Sequence, residues 1–342
     1  MKVAWFHRFG GPEVLVYEDA PDPEPSPGEA IIKMGAVGVN HVDLDTRAGV
    51  SRFPISFPHI LGKEFAGEVV SIRGQNVPFK EGDRAWVAGH IPCNHCEYCL
   101  SGRDNLCDGE SPFGRGVPGA YSEMVKVPVE ALQPLPSHVG FQEAAAAQIA
   151  FATTWHVLIN RAALQPGQTV LIHAAGSGIG SAAIQVANLA GATVFTTAST
   201  QEKLQKAKEL GAHHLINYTQ EDFVQKVLDL TGGQGLDAVM EHIGGEVFTK
   251  SLDCLKKDGV IVTVGGHGGE VVPLDIIPFF RRELRLVGSR VSTLPELRKV
   301  MGLVFDGKLK PVIHQALPLS QAPEAHRILD SREVFGKVIL VP

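Results

Sequence analysis

The sequence predicts an α/β protein of two domains: a doubly wound parallel sheet and an antiparallel, folded-over β-barrel. Three observations predict it. Strand and helix patterns alternate from about residue 168 to residue 288, as they do in a parallel sheet covered by helices. The first third instead holds short apolar runs, at 30–34, 67–72 and 84–88, set apart by Pro, Gly and Asp clusters such as 21–28 and 80–83. That is how short antiparallel strands and their turns read. The segment after residue 289 returns to short strands and one helix, ending on Gly336-Lys337-Val338, and is expected to rejoin the first domain. The chain of 342 residues is long enough for two cores. The expected division is 1–150 with 289–342, and 151–288.

Within the alternating part, a strand over 169–174 runs into Gly176-Ser177-Gly178-Ile179-Gly180, and a helix of small residues follows over 181–190, closed by Gly191. A strand over 193–197 leads to a helix over 200–210 that Gly211 stops. Leu215-Ile216 makes a short strand. Thr219 is expected to cap the next helix, with Asp222 three residues on and Phe223, Val227 and Leu230 along one face. Further strands are expected over 237–241, 260–264 and 284–288, with a helix over 246–257 between the first two. Cys254 lies in that helical pattern and reads as a small buried hydrophobe.

Glycines at a strand-to-helix turn let backbone N–H groups approach a pyrophosphate at the positive end of a helix. Gly176, Ser177, Gly178, Ile179 and Gly180 stand at such a turn, so they are candidates to bind a dinucleotide. The end of the second strand selects which one. A site for NAD usually offers Asp or Glu there to the ribose 2′-hydroxyl. This chain has Ser199 and Thr200 followed by Lys203, which suit a 2′-phosphate. NADPH is therefore expected, with NADH the alternative. Ser199 and Thr200 would serve equally as caps of the following helix.

Cys93, Cys96, Cys99 and Cys107 are spaced C-x2-C-x2-C-x7-C in a lobe over 90–110 that interrupts the barrel after Val87. Four thiolates this close can enclose one Zn²⁺ and leave no open position, so the ion they imply is structural. Two-residue spacings suit a metal better than disulfides. A reduced tetrad also belongs in an intracellular protein, so the cytoplasm is expected. The net charge of −6 supplies no basic field for nucleic acid. No apolar run approaches the length of a membrane span, and no leader is apparent.

These residues resemble the medium-chain dehydrogenase/reductase superfamily, which holds zinc alcohol dehydrogenases and quinone oxidoreductases. The resemblance runs over essentially the whole chain. It is carried by Gly10-Gly11-Pro12-Glu13-Val14, Gly38-Val39-Asn40-His41-Val42-Asp43, Leu61-Gly62-Lys63-Glu64-Phe65-Ala66-Gly67-Glu68-Val69, the cysteine lobe, the glycine turn and the Gly336-Lys337-Val338 ending. It implies a Rossmann domain beside a GroES-like catalytic domain, and an NAD(P)-dependent oxidoreductase of small molecules. It also implies a homodimer or homotetramer, in which the strand near 284–291 pairs across a two-fold axis. In zinc alcohol dehydrogenases a Cys, a His and a third ligand hold a second, catalytic ion. Here Asn40, Lys63 and Ile149 occupy those positions, and an amide, an ammonium and an aliphatic chain are poor company for Zn²⁺.

Hydride removal from a simple alcohol needs its alkoxide stabilised, which a metal does well. Reduction of a quinone or an enone spreads charge onto a distant oxygen that a few donors can hold. The resemblance thus implies metal-free reduction of quinones or activated C=C bonds. Two alternatives stand beside it: an alcohol dehydrogenase that recruits metal through His41, Asp43 and Glu64, and a non-catalytic NADPH-binding redox sensor. Each candidate also has a plainer role. Asn40 either donates to a substrate oxygen or caps a turn; Asp43 either orients its neighbours or caps a helix. His41 is a proton carrier or structural. Lys63 is a fixed charge near a developing enolate, or an ion-pair partner of Glu64. By resemblance Thr153 lies under the nicotinamide, Tyr218 stacks on adenine, and Gly265 and Lys337 belong to the dinucleotide site.

Overall fold

The computed structural model describes every residue except 52, 75 and 76. The chain divides into two compact units, Met1–Ile149 with Met301–Pro342, and Ala150–Val300. Residues 289–300 group with the second unit rather than the first. Their bonds explain it: Thr293 and His156 both hold Glu296, Arg161 Nε donates to the Gly288 carbonyl at 2.9 Å, and the Lys299 ammonium lies 4.8 Å from the Trp155 ring centre.

Six parallel strands form the second unit's sheet, in the spatial order His214–Asn217, Thr193–Ala198, Thr169–Ile172, Leu236–Glu241, Leu255–Thr263 and Arg285–Gly288. This is the 3-2-1-4-5-6 order of the Rossmann fold. Helices cover both faces, so the central strands read as continuous apolar runs: Val170, Leu171 and Ile172 are all buried. Two local expectations are corrected. The cap of helix Phe223–Leu230 is Asp222, whose carboxylate accepts from Val224 N and Gln225 N. Thr219 turns its hydroxyl instead to Asn217 Oδ1 and the Ser199 carbonyl. The helix expected over 246–257 is Gly245–Asp253, and the chain is already extended from Leu255. Cys254 sits between the two, fully buried.

The first unit carries a seven-stranded sheet. Along its main path run Ile313–Pro318, Lys337–Val341, Glu29–Gly38, Glu64–Arg73, Arg84–Val87 and Leu132–Pro134, with Met124–Pro128 also paired to Glu29–Gly38. A three-stranded sheet of Val16–Asp19, Lys2–Phe6 and His59–Ile60 accompanies it. Phe6, Ile32, Leu61, Phe65, Phe113 and Tyr121 fill the core. Register places the site. Gly38 stands opposite Glu64 in one antiparallel pair and opposite Ile339 in another. The turn leaving Gly38, the turn entering Glu64 and the start of the strand at Lys337 therefore meet at one end of the sheet. Among the described residues no helix is long and apolar enough to cross a membrane.

Candidate active site and zinc lobe

Glu64 is fully buried at that end of the sheet. Its Oε1 accepts from Asn40 Nδ2 at 2.9 Å and pairs with Lys337 Nζ at 2.5 Å, while Oε2 accepts from the backbone N–H of Ile149 at 2.8 Å. Lys337 Nζ also donates to Asn40 Oδ1 at 2.7 Å and to the Val39 carbonyl at 2.8 Å. An ammonium has three donors, and all three are used here. Two expectations change as a result. Lys337 has no N–H left for a dinucleotide, and the partner of Glu64 is Lys337, not Lys63. Asn40 is engaged at both ends of its amide, and it also caps helix His41–Ala48, its N–H donating to Asp43 Oδ2 at 2.9 Å.

Lys63 follows Gly62, whose φ of +100° belongs to glycine and whose missing Cβ would lie 2.7 Å from the Tyr121 ring. The side chain is 8% exposed. Among the described residues its ammonium makes no hydrogen bond or ion pair. Burial, helped by the nearby Arg115 charge, pushes it down to about 8; Asp43, Glu110 and Glu64 pull the other way. Asp43 is buried too, and burial pushes it up to about 6 against the pull of Asn40 N, Gly62 N, Lys337 and Lys63. The site therefore holds a carboxylate engaged by backbone and an amine that makes no direct ion pair, with Asp43, Glu110 and Glu64 nearby.

The cysteine lobe fits a metal. Its four sulfurs lie within 4.8 Å of one another, with Cys93–Cys99 at 3.9 Å and Cys96–Cys99 at 3.4 Å. Sulfurs at the corners of a tetrahedron around Zn²⁺ are about 3.8 Å apart. The N–H groups of Cys93, Cys96 and Cys99 already donate to the sulfurs of Cys107, Cys93 and Cys96 at 3.3–3.4 Å. All five cysteines of the chain are free thiols.

In the second unit, Gly176-Ser177 ends the turn and helix Gly178–Leu189 begins. Ser177 Oγ caps it by accepting from Gly180 N at 2.8 Å, and the N–H groups of Gly178 and Ile179 open the helix without intrahelical acceptors. A Cβ on Gly180 would lie 2.2 Å from the Ala174 carbonyl oxygen, so the close seat of helix on strand requires glycine. Thr200 caps helix Gln201–Glu209, its Oγ1 accepting from Lys203 N at 3.3 Å, and Ser199 lies beside it. Tyr218 is half exposed just past strand His214–Asn217, and Gly265 lies just past strand Leu255–Thr263. A dinucleotide that binds this turn would meet Gly178 and Ile179 N–H at its pyrophosphate, with Ser199, Thr200 and Lys203 beyond the second strand.

His41 is exposed at the first position of its helix, and Thr153 is buried in helix Phe141–Trp155. Sequence reasoning missed three buried residues of the first unit: Tyr121, Arg47 and His326. Tyr121 and His326 give no local signal, because a lone buried polar side chain looks like any other until its partner is known.

A Rossmann sheet with a capped glycine turn, joined in one chain to a β-rich unit bearing a lobe of four cysteines that fits a metal, defines a nicotinamide-dependent oxidoreductase. Residues 26–137 match the family model described as alcohol dehydrogenase GroES-like domain, and residues 178–306 the one described as zinc-binding dehydrogenase. A 2-haloacrylate reductase of Burkholderia sp is 30% identical over 99% of this chain and 98% of its own. Among solved structures, an NAD-dependent alcohol dehydrogenase is 39% identical with a TM-score of 0.95, covering all of both chains. The Escherichia coli quinone oxidoreductase, solved with NADPH, is 28% identical with a TM-score of 0.84, again covering all of both chains. The chain belongs to the medium-chain dehydrogenase/reductase superfamily and is an NAD(P)-dependent oxidoreductase. Where that superfamily's zinc alcohol dehydrogenases hold a catalytic ion, the donors here do not fit one: Asn40 and Glu64 are bound to the Lys337 ammonium, Lys63 is itself a cation, and Ile149 offers no side-chain lone pair. Among the described residues, the cysteine tetrad is the single group of three or more His, Cys, Asp or Glu side chains placed to share an ion.

Proposed function

We propose that the chain reduces activated C=C bonds or quinones with NADPH, without a catalytic metal, and that Lys63 takes the place of the ion. The observation that carries this reading is the Lys63 side chain, only 8% exposed, whose ammonium makes no hydrogen bond or ion pair among the described residues. Bound NADPH supplies the hydride. A conjugated acceptor that gains hydride at its β-carbon develops negative charge on its carbonyl oxygen, and an ammonium on a largely buried side chain stabilises that charge more than a fully solvated one. Lys63 meets the requirement and can give a proton as well, since burial brings it down to about 8. Asn40, by contrast, is committed to Glu64 and Lys337, so its part is to hold the turn.

The absence of an acid immediately after strand Thr193–Ala198, together with Ser199, Thr200 and Lys203, supports NADPH over NADH. The names of the relatives support the acceptor class, since a haloacrylate and a quinone both carry a C=C conjugated to oxygen. One zinc per chain, in the cysteine lobe, completes the reading. A homodimer or homotetramer is supported by the edge strand Arg285–Gly288, where Leu286 is exposed, and by exposed Ile276, Ile277 and Phe280 just before it. A reduced cysteine tetrad supports work in the cytoplasm.

The test is NADPH oxidation by purified protein with an enone, a quinone and a 2-haloacrylate, set against NADP⁺ reduction with simple alcohols, and zinc counted in the same sample. Turnover of the conjugated acceptors with one zinc per chain is expected. Alcohol oxidation that requires a second metal ion would overturn the reading.

A further inference from the structure

Asp43 and Arg47 stand four residues apart in helix His41–Ala48, on one face, and both are buried. At that spacing an acid and an arginine ordinarily close a direct ion pair. Among the described residues none joins them. Two residues are interposed. Arg47 Nη1 lies 2.9 Å from His326 Nδ1, on helix Ala322–Asp330; His326 Nε2 lies 3.3 Å from Tyr121 Oη; and Tyr121 Oη lies 3.4 Å from Asp43 Oδ2.

The direction of every bond in this chain follows from its first member. A guanidinium only donates, so His326 Nδ1 must accept. His326 is almost completely buried beside a cation, which pushes it down to about 3, so the ring is neutral and its one proton is on Nε2. Nε2–H then donates to Tyr121, and the Tyr121 hydroxyl proton is left for Asp43. Arginine does not release its proton, so the chain cannot carry protons through. It is a fixed row of dipoles, all aimed at one carboxylate. Asp43 collects that donor together with Asn40 N at 2.9 Å and Gly62 N at 3.3 Å. Its two oxygens thus tie the turn at Asn40 to the turn that carries Lys63.

We propose that Arg47, His326 and Tyr121 are positioning residues for the reduction assigned above: they keep Asp43 ionised, so that it clasps Asn40 to Gly62 and faces Lys63 with a negative charge. The proposal rests on the reading of Lys63 as the cation for the substrate oxygen. The groups that face Asp43 are Tyr121, the Asn40 and Gly62 amides, Lys63 and Lys337. Those around Lys63 are Arg115, which opposes its charge, and Asp43, Glu110 and Glu64, which support it. The working form therefore has Asp43 charged and Lys63 protonated, between about pH 6 and about pH 8.

Tyr121→Phe removes one donor to the Asp43 carboxylate and so raises the pH at which it ionises. The acid limb of kcat/KM for enone reduction should move up by about one pH unit while the alkaline limb stays. His326→Leu, which keeps the Tyr121 hydroxyl and removes only the donor that aligns it, should move the limb in the same direction by less. His326→Gln, whose amide accepts from Arg47 and donates to Tyr121, should restore the limb. A merely structural role lowers the rate at every pH and leaves the limb in place, which would overturn the proposal. Two readouts need no turnover. Ring ¹⁵N shifts of His326 should show a proton on Nε2 and a bare Nδ1 from about pH 5 to about pH 9; a titrating ring, or a proton on Nδ1, refutes the chain. The Asp43 carboxyl ¹³C titration should move up in Tyr121→Phe, and an unmoved titration refutes it even if enones are reduced. If both spectra behave as expected and no conjugated acceptor is turned over, the chain stands and the assigned reaction falls.

Discussion

Two places in the first unit solve the same electrostatic problem with opposite means. In the cysteine lobe, four sulfurs surround a space that fits a dication, which as thiolates they would balance. At the end of the main sheet, Glu64, Asn40 and the Val39 carbonyl gather around a positive charge that the chain itself provides, the Lys337 ammonium. The first site has a geometry that fits an ion. The second is already closed by a side chain. The difference teaches that one chain can gather donors around a space that suits an ion in one place and around its own ammonium in another. A covalently attached cation needs no recruitment and cannot be chelated away. Lys63 stands apart from both arrangements, a charge nearby without an oxygen assigned to it.

The comparison breaks most visibly if the lobe is emptied. Cys99→Ser, or prolonged chelation, should take the protein from about one zinc per chain to near none, and residues 90–110 should become susceptible to protease. The loss should reach several kcal/mol, because a structural zinc's binding energy is folding energy. The sheet-end site should ignore chelators entirely. Its weak point is Glu64→Gln, which leaves Lys337 buried with its charge uncompensated; denaturant unfolding should show a loss of about 3–5 kcal/mol.

Lys63→Met sharpens the contrast through a change of sign. The fold disfavours this residue's charged form, holding it at about 8, below its value in an unfolded chain. That cost is present in full below about pH 8 and disappears as pH rises past about 10, where the unfolded chain also loses the proton. Removing the amine should therefore stabilise the protein by about 2 kcal/mol at neutral pH and by little above pH ~10. Enone reduction should fall by about 100-fold in kcat at the same time. A variant that gains stability and keeps its rate would show that the lysine has no part in the chemistry.

What could be read from the sequence was what is local. The cysteine tetrad lies within one short segment and the dinucleotide turn within one strand-to-helix corner, so spacing and glycine content reveal them directly. The sheet order of the second unit follows from a run of consecutive βα units. The polar network was hidden because its members come from far apart: Asn40 and Lys337 are separated by 297 positions, and Tyr121 and His326 by 205. Lys63 and Glu64, adjacent in sequence, looked like natural partners, yet successive residues of extended chain point to opposite faces. Thr219 lost its expected place as a cap to Asp222 because Asn217 offered its hydroxyl a nearer acceptor.

The Lys337 ammonium also sets an order of assembly. The second unit is one continuous stretch and can complete its sheet from its own residues. The first must wait for a strand encoded beyond the whole of the second before Glu64 receives its counter-charge. Contacts that span so much chain form late and slowly. During synthesis the Rossmann portion is thus free to mature first, and a chain interrupted before that strand carries a buried carboxylate with nothing to neutralise it. Such a product should be unable to settle its barrel, which separates finished protein from unfinished at a single buried ion pair.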